Sequence, residues 1–132
     1  MSAARRVLAV VECRPSDAAV VRRAVAVANE SGGYLTLVAV APGPVFNPSP
    51  YCFPQPSAEQ RREAAANVLR RLAALVPPEI PLTTAVDEGK PAAVVGRRVE
   101  TAAHDLVVMR RRRATFARWS RPLLAPVLAV VG

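Results

Sequence analysis

The chain has 132 residues, 52% of them hydrophobic, and a formal net charge of +8. That length buries a core without disulfide or metal staples, so residues 1–132 are read as a single domain. No apolar run reaches the roughly 20 residues that span a bilayer, and Arg5-Arg6 leads into a strand rather than a signal peptide, so a cytoplasmic protein is expected.

Val7 to Val11 form a continuous apolar run, which suits a strand buried on both faces of a parallel sheet. Pro15 and Ser16 end it, with Ser16 suited to cap the next helix. Val20, Val21, Ala24, Val27 and Ala28 recur at helical spacing, and Gly32-Gly33 stops that helix. Leu35 to Ala41 is a second strand. Six prolines between Pro42 and Pro56 exclude both helix and central strand, leaving a long loop that carries Phe46, Tyr51 and Phe53. Ser57-Ala58-Glu59-Gln60 is a capping box, opening a helix with Ala65, Val68, Leu69, Leu72 and Val76 on one stripe. Arg61, Arg62, Arg70 and Arg71 lie elsewhere around it and read as a solvated face.

Pro77-Pro78 ends this helix, and Leu82 to Val86 is a short third strand, with Asp87-Glu88-Gly89 as the turn after it. Pro91 fits the first position of a third helix, whose buried side carries Val95, Val99, Ala102 and Ala103. Asp105 to Met109 and Val127 to Val131 are the fourth and fifth strands. Alternation of this kind means a parallel sheet joined by crossovers.

Nearly all the positive charge is arginine, since Lys90 is the only lysine. Arginine grips phosphates and carboxylates in a fixed fork geometry. A chain rich in Ala, Val, Pro and Arg also reflects compositional bias, which weakens the case for a polyanion partner. The two cysteines, Cys13 and Cys52, have no metal-like spacing, and Cys13 reads as a reduced thiol in a packed turn. Ligands of such sheets bind beyond the carboxyl ends of the strands, where strand order reverses. Glu12, Cys13 and Arg14 follow strand one, Val40 lies near the end of strand two, and Arg110, Arg111, Arg112 and Arg113 follow strand four. These are the candidate nucleotide or anion-site residues. His104, the only histidine, precedes strand four at the opposite end, which argues against a nucleophile–histidine enzyme. No catalytic residues, no metal site and no Gly-rich phosphate loop are found.

The order of elements and several stretches together resemble the universal stress protein family. They are Val7 to Ser16 as first strand and turn, Glu88-Gly89-Lys90-Pro91-Ala92 leading into the third helix, His104 to Met109, and Ala125 to Val131. The resemblance covers nearly the whole chain. It implies an α/β, Rossmann-like fold of the adenine nucleotide alpha hydrolase type. The sheet would be open, parallel and five-stranded, ordered 3-2-1-4-5, with helices on both faces. It also implies cytoplasmic location and frequent dimers. Many members bind ATP and others do not.

Two departures bear on function. ATP-binding members follow strand four with glycines spaced G-x2-G-x9-G and then Ser or Thr. Here the first two fall on Arg110 and Arg113, and no glycine occurs between Gly96 and Gly132. The aspartate usual after strand one is Glu12. The connection from Met109 to Pro126 is also too short for the family's full fourth helix, so that helix is expected to be shortened, with Phe116, Trp119 and Leu123 filling part of the gap. The expected function is a binding or oligomerising domain, not an enzyme, that takes no ATP in the usual way. One alternative is a small-anion or nucleotide sensor using arginine side chains; a nucleic-acid or polyanion binder ranks below it. A homodimer is expected through the edge strand, with Leu128, Val130 and Val131 as candidates.

Overall fold

Val7 to Val11 each expose at most 2% of their surface, as a strand covered on both faces must. The computed structural model describes residues 5–41, 56–101, 104–110 and 127–130. Strand β1 (Arg6–Val11) is followed by helix α1 (Asp17–Ser31), β2 (Tyr34–Ala41), α2 (Ala58–Ala73), β3 (Leu82–Glu88), α3 (Pro91–Thr101), β4 (Leu106–Arg110) and β5 (Val127–Val130). The five strands form one sheet in the expected order, β3-β2-β1-β4-β5, and each pairing is parallel.

Alternate residues of β1 feed two separate cores. Val7, Ala9 and Val11 pack with Val20 and Ala24 of α1 and Leu69 of α2. Leu8 and Val10 pack on the other face with Val94, Val95 and Val99 of α3. Burying each of these valine and leucine side chains contributes roughly 1.5–3 kcal/mol, so both layers hold the central strand firmly.

The chain ends of the helices follow local chemistry. The Ser57 side chain accepts from the Gln60 N–H at 3.1 Å, and the Ser57 N–H donates to Gln60 Oε1 at 2.7 Å, completing the capping box. Gly32 closes α1 at a φ of 64°, in the left-handed region glycine favours. Gly33 is required for a different reason: a Cβ there would collide with the Arg5 carbonyl. That carbonyl accepts from the Tyr34 N–H at 2.8 Å, tying the entry of β2 to the entry of β1.

Two expectations need correction. Ser16 stands at the N-cap of α1, but its backbone is helical and its side chain makes no capping bond; Asp17 takes over the turn, as described below. Asp87 and Glu88 are not a turn, because β3 runs two residues further than the apolar run and pairs to its end, Asp87 opposite Val40 and Glu88 opposite Ala41. The proline-rich segment at 42–55, Cys52, Ala102, Ala103, Arg111 to Arg113, Phe116, Trp119, Leu123 and Val131 lie outside the described residues, as does the expected shortened helix.

Candidate functional site at the strand ends

The turn after β1 carries three of the candidate residues, and Asp17 shapes it. Asp17 is 5% exposed. Its two carboxylate oxygens accept from the Glu12 N–H at 3.1 Å and the Arg14 N–H at 2.9 Å. Its own N–H donates to the Arg14 carbonyl at 3.0 Å. The aspartate thus clasps both sides of Cys13, which is held at a φ of 61°, a region costly for any residue with a Cβ. Asp17 was not singled out from the sequence. The available signal was its spacing, since an acid three residues after Arg14 can reach back to that N–H as the last position of a capping box does.

Cys13 packs partly buried against the layer of α1 and α2. Burial, then the nearby Asp17 carboxylate, pushes its thiol pKa up despite the opposing Arg71 charge. A thiol held protonated is a poor nucleophile, which agrees with a packed rather than reactive cysteine.

Glu12 meets Arg110, the last residue of β4, with Oε2 3.6 Å from Nε. The side chains are only 10% and 21% exposed respectively. Strands β1 and β4 are neighbours in the sheet, so this ion pair spans the point where strand order reverses. At 3.6 Å the contact is an ion pair and not a hydrogen bond. The Arg110 Nε is buried and has no hydrogen-bond partner among the described residues. Val40 is 3% exposed and packed in the α3-side core.

Other polar groups sort away from this crevice. His104 precedes β4, at the end opposite Arg110. Beside it, the Asp105 carboxylate accepts from the Arg6 N–H at 2.8 Å, and the Asp105 N–H donates to the Arg6 carbonyl at 2.8 Å. Asp87 faces α3, because its pairing partner Val40 is buried on that side. There Arg98 donates to both its oxygens, at 2.7 and 2.8 Å. That hydrogen bonding, against a smaller opposing effect of burial, holds the Asp87 carboxyl below its usual range and raises Arg98. Arg62 of α2 lies 3.5 Å from Glu88, so part of the arginine surface is paired rather than merely solvated. Among the described residues, no group of three or more His, Cys, Asp or Glu could hold a metal ion, and no helix is long and apolar enough to cross a membrane.

A groove of about 440 Å³ runs between α1 and α2. Cys13, Arg14, Arg22, Arg71, Leu72 and Leu75 are among its lining residues, whereas Glu12 and Arg110 are not.

Comparison with known proteins supplies the family. A search of curated protein sequences finds no match. Among solved structures, a universal stress protein family member from Burkholderia pseudomallei superposes with a TM-score of 0.74 at 19% identity, over 100% of this chain and 99% of that one. The universal stress protein UspA from Lactobacillus plantarum gives 0.67 at 14% identity, over 98% and 99%. A universal stress protein in complex with cAMP gives 0.68 at 17% identity, over 98% of each chain. At these identities the likeness shows a shared fold. The family model of the universal stress proteins matches residues 3–127, nearly the whole of the sequence. The chain belongs to the universal stress protein family.

Proposed function

We propose that this universal stress protein domain is a non-catalytic binding and oligomerising module that does not take ATP in the family's usual way. The observation that carries this reading is the Glu12–Arg110 ion pair, buried across the β1–β4 reversal point. A phosphate cradle of backbone N–H groups needs close approach, which glycine permits and a side chain obstructs. Here an arginine stands where the first glycine of the ATP-binding pattern would, and its guanidinium is directed to the protein's own carboxylate. Glu12 also reaches one methylene further than the aspartate it replaces.

Isothermal calorimetry with Mg-ATP at physiological salt, beside GTP and pyrophosphate, tests the reading. No selective ATP binding is expected. Micromolar or tighter affinity for ATP with clear preference over both controls would overturn it. The same reading includes a cytoplasmic homodimer formed through the outer edge of β5, a strand at the sheet margin. Light scattering that finds only monomer at micromolar concentration would count against the dimer.

A second reading is favoured by one observation: the buried Arg110 Nε has no hydrogen-bond partner among the described residues. A buried donor left in this state favours an incoming acceptor. A small anion at the end of β4 would satisfy it, and a relative solved with cAMP carries a nucleotide phosphate on this fold. Weak stabilisation by phosphate or sulfate that disappears in Arg110→Ala would support this version.

A further inference from the structure

We propose that the groove between α1 and α2 binds an amphipathic anion: an apolar body that lies along the helices, with a carboxylate or phosphate head held by arginine. The volume, about 440 Å³, falls in the range of small-molecule sites. The floor is apolar, with Ala18 on α1 and Val68, Leu72 and Leu75 on the α2 side. Leu75 is 40% exposed, one of only two large hydrophobic side chains left open among the described residues. An exposed leucine in a concave apolar floor gains by being covered.

Charge specifies the other half of the ligand. Arg14, Arg22 and Arg71 line the same groove. None of their guanidinium groups has an ion pair or side-chain hydrogen bond among the described residues, in contrast to Arg62 and Arg98. The one acid among the described lining residues, Asp17, is buried with both oxygens engaged by backbone N–H groups. It therefore leaves the rim positive. Three guanidinium forks, unpaired among the described residues and beside an apolar floor, select an anionic head over a neutral or cationic one. This site is separate from the strand-end crevice, since neither Glu12 nor Arg110 lines it.

Cys13, half-buried in the same lining, reports occupancy. The experiment follows alkylation of Cys13 in a Cys52→Ser background, with decanoate or decyl phosphate below their micelle concentrations. Decanol, decyltrimethylammonium and inorganic phosphate are the controls. At ligand concentrations about ten times Kd, alkylation should slow by about tenfold with an anionic amphiphile, and the two headgroups distinguish a carboxylate from a phosphate ligand. Arg22→Gln with Arg71→Gln changes exposed side chains only, so the fold should survive, and should raise the ligand concentration needed for protection by about tenfold. Leu75→Ser should weaken it too. The proposal is overturned if neither amphiphile protects Cys13, if decanol or inorganic phosphate protects it equally, or if the arginine variant protects as well as the parent.

Discussion

At the end of β3, Asp87 receives two hydrogen bonds from Arg98 at 2.7 and 2.8 Å; at the ends of β1 and β4, Glu12 and Arg110 approach only to 3.6 Å. The first pair is the more exposed, with side chains 24% and 32% open, yet it is geometrically complete. The second, at 10% and 21%, is more deeply withdrawn and leaves the Arg110 Nε without a hydrogen bond among the described residues. Burial without saturated hydrogen bonding costs stability, because desolvation is not fully offset. The Asp87–Arg98 pair therefore reads as a clamp that joins α3 to the edge of the sheet. The Glu12–Arg110 pair sits where ligands of this fold bind and contributes little to folding.

Breaking the turn that delivers Glu12 should have the largest effect. Asp17→Ala leaves two partly buried N–H groups unpaired around a strained Cys13, and should cost about 3 kcal/mol in urea denaturation. A loss below about 1 kcal/mol would mean that the turn holds its shape without the clasp. Next come the two arginines, compared directly. Arg98→Met removes two charge-assisted hydrogen bonds and should cost about 2 kcal/mol, whereas replacing both members of the other pair, Glu12→Gln with Arg110→Met, should change stability by less than about 1 kcal/mol in either direction. Equal losses for the two variants would erase the distinction.

Acid titration sharpens the same contrast. The folded Asp87 carboxyl lies below its unfolded value, chiefly through the Arg98 hydrogen bonds. Its contribution is thus fully present above the unfolded pKa of about 4 and is lost as the pH falls through the folded value. Asp87→Asn should lower stability at neutral pH and should converge with the parent protein on acidification. A difference that stays constant from neutral to strongly acid pH would contradict that assignment. The smallest effect concerns Cys13, whose pKa is raised by burial and by Asp17. In a Cys52→Ser background without added amphiphile, it should react with iodoacetamide at neutral pH more slowly than a free thiol in a flexible peptide. Faster reaction would show an activated cysteine.

The fold was legible because its signals are repetitive. Continuous apolar runs such as Val7 to Val11 mark strands covered on both faces, and Ser57 with Gln60, Gly32 and Pro91 mark helix ends by chemistry that acts within a few residues. The site was legible only in part. That Glu12 and Arg110 share the ligand end of the sheet follows from the alternation of strands and helices. That they pair depends on the register and side-chain reach of two strands far apart in sequence. The error at Asp87 has the same origin. Its polarity looked like a turn, but the acid is accommodated in the strand because Arg98, eleven residues away on α3, comes over the same face. Asp17 was overlooked because Ser16, one residue earlier, is an equally good cap by residue type, while a longer-reaching acid one residue later could tie both Glu12 and Arg14.

In the proposed function, the protein's own Glu12–Arg110 pair occupies the crevice that nucleotide phosphates would enter. Parallel calorimetric titrations of the parent protein and Arg110→Ala at physiological salt test it most directly, with Mg-ATP, pyrophosphate and inorganic phosphate as ligands. The parent should show no selective ATP binding and only weak, salt-sensitive anion binding, which Arg110→Ala should reduce. Tight ATP binding by the parent, selective over pyrophosphate, would contradict it.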